Sequence, residues 1–95
     1  MLRILIIIPA FNEAENIEAL LNQLKATEIE GLDVLVVNDC STDITEEICR
    51  DLGVTVINLP CNLGIGGAVQ TGYKYAYQNR FDIAIQVDGD GQHRT

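Results

Sequence analysis

Four short runs of aliphatic and β-branched residues alternate with helical patterns, and this alternation constrains the fold more than any other feature of the sequence. The runs are ILIII (4–8), DVLVV (33–37), VTVINL (54–59) and IAIQV (83–87). Such runs are typical of strands that are buried on both faces of a parallel sheet. The pattern therefore predicts an α/β fold, a Rossmann-like parallel sheet with flanking helices. A chain of 95 residues is short enough for residues 1–95 to form a single domain.

The segments between the runs have the period of amphipathic helices. The predicted helices cover 12–26, 41–52 and 66–78. Asn12 is the predicted N-cap of the first helix, because Glu15 follows three residues later as in a capping box. Asp43 is the predicted N-cap or first-turn acid of the second helix. Pro9 is expected to end the first strand, because proline has no N–H for the sheet.

Composition and charge exclude several classes of protein. The net charge of −8 argues against nucleic acid as a partner, because phosphates bind basic patches. The longest apolar stretch, Ile4–Phe11, is far shorter than the about 20 residues of a membrane-spanning helix, and no signal-peptide pattern is found. A cytoplasmic location is therefore expected. Cys40, Cys49 and Cys61 form no C-x-x-C motif, so reduced thiols are expected rather than a disulfide framework or a zinc site.

Short polar residues follow each predicted strand. The segments are PAFNE, NDCSTD, PCNLGIGG and DGDGQH, in chain order. In open α/β sheets, ligands bind beyond the carboxyl ends of the strands, near the point where the strand order reverses. The sequence therefore predicts a binding site at this edge of the sheet.

Two phosphate-binding motifs are nearly matched by the glycine-rich segment. A dinucleotide fingerprint would need glycine at Val69 and would follow the first strand rather than the third. A P-loop would need lysine at Tyr73. A response-regulator phosphoacceptor would need an acidic pair after the first strand, where only Glu13 is found. Three glycines have a structural alternative, in which they let the helix pack close to the sheet: Gly66, Gly67 and Gly72.

Asp88 and Asp90 follow directly on the last predicted strand. Two carboxylates at this spacing repel each other unless a proton or a cation lies between them. Mg²⁺ and Mn²⁺ suit hard oxygen ligands and complete their shell with phosphate oxygens and water. The pair therefore predicts a site for a divalent cation with a nucleotide diphosphate, and a solvated loop is the structural alternative.

Four segments together resemble one enzyme family: IIIPAFNEAENI, VLVVNDCSTD, NLGIGGAVQTGYKYA and VDGDGQH. They are similar to the family 2 inverting glycosyltransferases, with the polyprenyl- and dolichol-phosphate sugar transferases as the nearest type. The resemblance implies the N-terminal half of an A-type glycosyltransferase fold. It also implies metal-dependent transfer of a sugar from a UDP- or GDP-linked donor, with inversion, to a polyprenyl phosphate or a growing glycan.

The resemblance further implies roles for individual residues. Pro9, Phe11 and Glu13 would line the nucleoside pocket, and Asp39 would accept a hydrogen bond from the nucleobase. Two residues would belong to the loop under the nucleotide, Asn62 and Gly64. Cys40 stands where glycine is usual in the family, which leaves the backbone of that turn open.

The metal site would be formed by Asp88, Asp90 and Gln92, and Asp88 would also contact the ribose and diphosphate. No residue matches the catalytic base, which is expected beyond Thr95. His93 follows the metal motif, where a contact with a phosphate or with the backbone is as well supported as a role as the base. Asn38 stands where many relatives have aspartate, and a turn-capping role is its alternative.

Two interpretations of the whole chain remain open. In the first, it is the donor-binding fragment of a longer enzyme, at the cytoplasmic face of a membrane if that enzyme is membrane-bound. In the second, it is a catalytically silent nucleotide-binding or assembly module that pairs with another copy through an exposed sheet edge. A nucleotidyltransferase would need a basic glycine-rich loop after the first strand, which PAFNEAENI lacks.

Overall fold

The computed structural model describes residues 2–88, which form a parallel sheet between two layers of helices. The strands are β1 (Ile4–Ala10), β2 (Leu32–Asn38), β3 (Thr55–Asn58) and β4 (Ile83–Gln86). The helices are α1 (Ala14–Ala26), α2 (Thr45–Asp51) and α3 (Gly64–Gln78). The strand order is β3-β2-β1-β4, and all three pairings are parallel. The predicted α/β fold is confirmed.

Alternate residues of the central strand β1 supply two separate cores. Ile6 and Ile8 face α1 and α2, and they pack with Ile17 and Leu21 of α1. Leu5 and Ile7 face the other way, toward α3. Residues on both faces of β1 and β2 are buried, which is why these two strands read as continuous apolar runs.

Helix α3 lies very close to β1 because one of its residues has no side chain. A Cβ atom placed on Gly72 would overlap Cγ2 of Ile7, whereas one placed on Gly66 would meet no atom within 4 Å. The packing role suggested for Gly72 is therefore confirmed, and Gly66 has no such role.

The prediction that Pro9 ends the first strand is wrong, since β1 continues to Ala10 with Pro9 paired to Val37. The carbonyl of Ala10 accepts a hydrogen bond from Asp39 N at 2.8 Å, so Ala10 faces β2. Because successive residues of a parallel strand bond to alternate neighbours, Pro9 faces β4, whose last paired residue, Gln86, lies opposite Ile7. The missing N–H therefore interrupts no β1–β2 hydrogen bond.

The strand order reverses between β1 and β4, since the chain moves from β1 to β2 and β3 on one side and then crosses over to β4 on the other. The carboxyl ends of β1, β2 and β4 therefore surround the switch point, where ligands bind in sheets of this kind. Within residues 2–88, no helix is both long enough and apolar enough for a membrane span.

Candidate functional site

A small cleft lies at the carboxyl ends of β1 and β2, next to the first turn of α3. Its volume is about 120 Å³. The structure brings four of the predicted site residues together in its lining: Pro9, Phe11, Glu13 and Asp39. The remaining lining residues were not predicted: Ala10, Ile65 and Ala68. Asn62, Gly64 and Asp88 lie outside this lining.

Ile65 was not predicted because the third helix was expected to begin at residue 66, and Ala68 was not predicted because the sequence does not show which side of that helix faces the cleft. The helix begins at Gly64, so Ile65 lies in its first turn, where its side chain is 63% exposed. The signal that could have identified Ile65 is an aliphatic residue between two glycines at a junction of a strand and a helix. Phe11 faces the same cleft and is 44% exposed, so the cleft offers apolar surface from a loop and from the first turn of α3.

Asp39 holds the start of α3 against the end of β2. Its side chain is only 4% exposed. Oδ1 accepts a hydrogen bond from Leu63 N at 2.7 Å, and Oδ2 accepts one from Gly64 N at 2.9 Å. Each carboxylate oxygen can accept a further hydrogen bond, and Asp39 lines the cleft, so its contact with a nucleobase stays a prediction.

Asn62 and Gly64 shape the loop that enters α3. Asn62 Oδ1 accepts a hydrogen bond from Gly64 N at 2.9 Å, and Gly64 has a φ of 77°. A φ of this sign favours glycine, because other residues place Cβ too close to the backbone. The two residues therefore set the loop conformation, and their contact with a nucleotide stays a prediction.

The side chain of Asn12 joins the first loop to the second. Its Oδ1 accepts hydrogen bonds from Thr42 N at 2.7 Å, Thr42 Oγ1 at 3.2 Å and Asp43 N at 3.3 Å, while Asn12 N donates to Ser41 Oγ at 2.9 Å. The predicted N-cap role is wrong, because Glu13 occupies the N-cap position of α1 and Asn12 has a left-handed φ of 52°. That conformation turns its side chain toward the neighbouring loop. Asn12 thereby holds Phe11 and Glu13, its neighbours in sequence, at the cleft.

Asp43 connects the starts of two helices. Its Oδ1 accepts hydrogen bonds from Thr45 N at 3.0 Å and from the Thr45 hydroxyl, and its Oδ2 accepts one from Ala14 N at 3.2 Å. Burial by itself would raise the pKa of the Asp43 carboxyl, but these hydrogen bonds together hold the pKa below its ordinary value. The predicted position of Asp43 is wrong, because Ile44 is the N-cap of α2 and Asp43 precedes it. Asp43 nevertheless accepts a hydrogen bond from the first residue of each of the two helices.

Asn38 stabilises the turn that follows β2. Its Oδ1 accepts a hydrogen bond from Ser41 N at 3.3 Å, and its Nδ2 donates to Asn58 Oδ1 at 3.0 Å. Asn58 donates in turn to Glu46, which forms an ion pair with Arg50 at 2.6 Å. The capping alternative for Asn38 is confirmed.

Cys40 adopts the backbone conformation that favours glycine, with a φ of 60°. The turn that was left open from the sequence is thus left-handed at this residue. Its thiol is 3.9 Å from the carbonyl oxygen of Pro60, a distance for a weak S–H hydrogen bond.

Asp88 is exposed and follows the end of β4 at the same edge of the sheet. Val87 N donates to Ile7 O at 2.9 Å, which ties this end of the chain to β1. Asp90 and Gln92 lie outside the described residues. Within residues 2–88 no group of three potential metal ligands occurs, and Asp88 is the one predicted metal ligand among these residues. One carboxylate fits a cation such as Mg²⁺ that takes most of its shell from phosphate and water.

Comparison with known proteins gives a consistent result. The family model described as "Glycosyl transferase family 2" matches residues 5–95. An undecaprenyl-phosphate mannosyltransferase of Micrococcus luteus is 34% identical over 98 residues, covering 98% of this chain and 40% of the relative. A UDP-N-acetylglucosamine–dolichyl-phosphate N-acetylglucosaminyltransferase of Methanococcus voltae is 35% identical over 107 residues, covering 95% of this chain and 42% of the relative.

The fold is also that of a solved glycosyltransferase. A mannosyltransferase of Pyrobaculum calidifontis, in complex with GDP-Man and Mn²⁺, superposes with a TM-score of 0.84 at 27% identity. The match covers 93% of this chain and 27% of that structure, so the chain spans less than half the length of each of these three proteins. The chain belongs to glycosyltransferase family 2 and has the sheet of the A-type glycosyltransferase fold.

Proposed function

We propose that residues 1–95 are the donor-binding domain of a longer, metal-dependent hexosyltransferase that uses a UDP- or GDP-linked sugar. The observation that carries the proposal is the cleft formed by Pro9, Phe11, Glu13 and Asp39 at the switch-point edge of the sheet. The Pyrobaculum calidifontis neighbour was solved with GDP-Man and Mn²⁺, and a TarS structure of S. aureus with UDP. Both nucleotides therefore remain candidates for the donor.

The cleft offers complementary contacts to a nucleoside. The exposed ring of Phe11 and the side chain of Ile65 supply apolar surface for a planar base. The Asp39 carboxylate supplies a buried acceptor that is held in place by two backbone N–H groups. A ring N–H of uracil or guanine fits such an acceptor.

The diphosphate needs positive charge that the protein itself supplies poorly. The net charge is −8, and Asp39 already accepts hydrogen bonds from the N–H groups at the start of α3. We propose that Mg²⁺ or Mn²⁺ is held by Asp88, Asp90 and Gln92 and that Asp88 also contacts the ribose and diphosphate. When bound, such a cation stabilises the charge that develops on the departing nucleotide diphosphate.

In the proposed reaction, an acceptor oxygen attacks the anomeric carbon and the bond to the nucleotide diphosphate breaks, with inversion. The acceptor is a polyprenyl phosphate or a growing glycan, by analogy with the Micrococcus luteus and Methanococcus voltae relatives. The catalytic base is proposed to lie beyond Thr95. We further propose a cytoplasmic location, at the membrane face if the acceptor is a lipid.

Isothermal titration calorimetry with UDP and GDP, with and without Mn²⁺, tests the proposal. We expect Mn²⁺ to increase the affinity for one nucleotide and Asp90→Ala to abolish that increase. Asp33→Ala is the matched control, since it removes the same charge from the first residues of β2, at the opposite edge of the sheet. Binding that ignores Mn²⁺, or an equal loss in both variants, would contradict the metal-dependent donor site.

An assembly module is the second candidate, and the outer strand β4 favours it. Ile83 and Ile85 are 40% and 45% exposed on a strand that is paired only with β1 within the described residues. Pairing of two copies through the edge of β4 would place Ile83 and Ile85 of one copy beside the same residues of the other and reduce their exposure. Sedimentation velocity over a range of concentrations distinguishes the candidates, because an assembly module forms dimers that Ile85→Lys disrupts.

A further inference from the structure

Two exposed thiols lie on adjacent loops beside the candidate cleft, and the proposed function uses neither. Cys40 lies in the loop between β2 and α2, and Cys61 lies in the loop between β3 and α3. Each is next to a predicted site residue, Asp39 and Asn62 respectively. The third thiol, Cys49, is buried in α2.

The two loops leave the sheet from a common point. Asn38 pairs with Asn58, and Leu59 N donates to Asn38 O at 2.9 Å. Cys40 follows two residues after Asn38, and Cys61 follows two residues after Leu59. The two cysteines are therefore at equal distances along the chain from a shared hydrogen bond.

The thiol of Cys40 points toward the other loop. Its Sγ is 3.9 Å from the carbonyl oxygen of Pro60, the residue before Cys61. In a trans peptide this oxygen is about 3 Å from the next Cα, so Sγ of Cys40 lies within about 7 Å of Cys61 Cα. Disulfides join residues whose Cα atoms are about 4.4–6.8 Å apart, so a bond between these thiols requires side-chain rotation and movement of the two loops toward each other.

Cys49 is an internal reference for the reactivity of the two exposed thiols. Burial, with a contribution from the nearby Glu46 carboxylate, raises the pKa of the Cys49 thiol to about 11. Thiolates are the reactive species in exchange, and Cys49 is also shielded from reagents. Oxidation chemistry is thus directed to the two exposed thiols.

We propose that Cys40 and Cys61 form a dithiol modification site that a low-molecular-weight disulfide, such as oxidised glutathione, converts into an intramolecular disulfide. This inference does not depend on the proposed function. It is compatible with reduced thiols in a reducing cytosol, because the pair is then a reversible site rather than a structural cross-link.

The chemistry proceeds by two exchanges. The thiolate of one cysteine attacks oxidised glutathione, whose S–S bond breaks to give a mixed disulfide and one glutathione thiolate, which takes a proton from water. The thiolate of the second cysteine then attacks the mixed disulfide and releases the second glutathione. Two protein thiols are oxidised and one glutathione disulfide is reduced to two thiols.

To test the proposal, the reduced chain is treated with oxidised glutathione at low protein concentration. Its intact mass is then measured under non-reducing conditions. We expect a monomer that is about 2 Da lighter than the reduced chain, as loss of two hydrogens requires. Two of the three thiols should become unreactive toward a thiol reagent in denaturant, and reduction with dithiothreitol should restore both.

Three variants identify the partners. Cys40→Ser and Cys61→Ser should each prevent the internal disulfide and retain one glutathionyl group on the remaining exposed thiol, whereas Cys49→Ala should leave the disulfide unchanged. Circular dichroism verifies that each variant is folded. Stable glutathione adducts on both exposed thiols, a disulfide that includes Cys49, or a disulfide-linked dimer would overturn the proposal.

Discussion

At the scale of single residues, Cys40 shows how a side chain can occupy a position suited to glycine. Its φ of 60° lies in the left-handed region, which L-residues avoid because Cβ approaches the following carbonyl oxygen. The family resemblance identified this position as one where glycine is usual, but only the structure supplies the conformation. Residue-level strain of this kind leaves no pattern in a single sequence.

Replacing Cys40 with glycine should stabilise the fold by about 0.5–1 kcal/mol under reducing conditions. The left-handed conformation costs an L-residue about 1–2 kcal/mol, and the greater freedom of glycine in the unfolded chain offsets about half of that gain. Cys40→Ala is the control, because it keeps the Cβ atom and the strain. Urea unfolding measures both variants, and an equal gain from alanine would show that strain is not the cause.

The carboxylate of Asp43 should make stability depend on pH in the acid range. Its pKa is lower in the folded state, so its contribution is fully present above the unfolded pKa of about 3.9 and is lost as pH falls through the folded pKa. We therefore expect the difference in unfolding free energy between wild type and Asp43→Asn to be largest near neutral pH and to shrink below about pH 4. Denaturant unfolding at several pH values measures this difference. A constant difference from pH 7 to pH 3 would contradict the assigned hydrogen bonds.

At the scale of elements, the loops after β1 and β2 are held together by side chains rather than by the sheet. Thr45 is fully buried, and its hydroxyl accepts a hydrogen bond from Glu13 N at 3.2 Å while donating to Asp43. Asn12 completes the connection through its three acceptor contacts. Local sequence patterns predicted caps within each helix, whereas the observed caps cross between loops that are about 30 residues apart in the chain.

Asn12→Ala should destabilise the protein by about 2 kcal/mol, because it leaves the amides of Thr42 and Asp43 without their acceptor and keeps an unfavourable φ. Asn12→Asp is the matched control. Aspartate retains the acceptor oxygen and tolerates the left-handed region, so we expect it to stay close to wild type. Thermal unfolding measures both variants, and a similar loss in each would exclude the acceptor as the cause.

The close packing of α3 on β1 gives a second prediction at this scale. Gly72→Ala should destabilise the protein by about 1–3 kcal/mol, because the added methyl group overlaps the buried side chain of Ile7. Gly66→Ala adds the same group to the same helix in open space, so it should be neutral or stabilising by up to about 1 kcal/mol. Guanidinium unfolding of both variants tests the packing, and equal effects would contradict it.

At the scale of the whole molecule, the central strands of the sheet are buried, whereas the outer strand β4 is incompletely covered by the described residues. β1 and β2 are buried on both faces, whereas Ile83 and Ile85 of β4 are partly exposed on the face that α1 and α2 cover elsewhere. The chain spans 40% and 42% of its two named curated relatives, which agrees with our proposal that a longer enzyme supplies the acceptor site. The candidate cleft, by contrast, is formed within these residues.

Most of the fold was predictable because each apolar run and each helical period is a local pattern that can bury its apolar residues in only one type of element. All four predicted strands and all three predicted helices occur, with shifts of at most a few residues at most boundaries. The largest difference was at α2, which begins at Thr45 rather than 41, and β1 continues through Pro9, where it was expected to end. Both depend on which neighbour a backbone or side-chain group faces, and that is a property of the assembled sheet.

The sequence by itself determined the α/β class, the edge of the sheet that carries the polar loops, and the resemblance to family 2 glycosyltransferases. These follow from periodicity and from motif order, which are properties of the chain read in one dimension. Only the tertiary structure decided that Asp39 anchors α3, that Ile65 lines the cleft, that Asn12 joins two loops and that the Cys40 thiol contacts the Cys61 loop. Each of these contacts joins segments that are distant in sequence, and their geometry exists only once parallel strands bring the loops to a common edge.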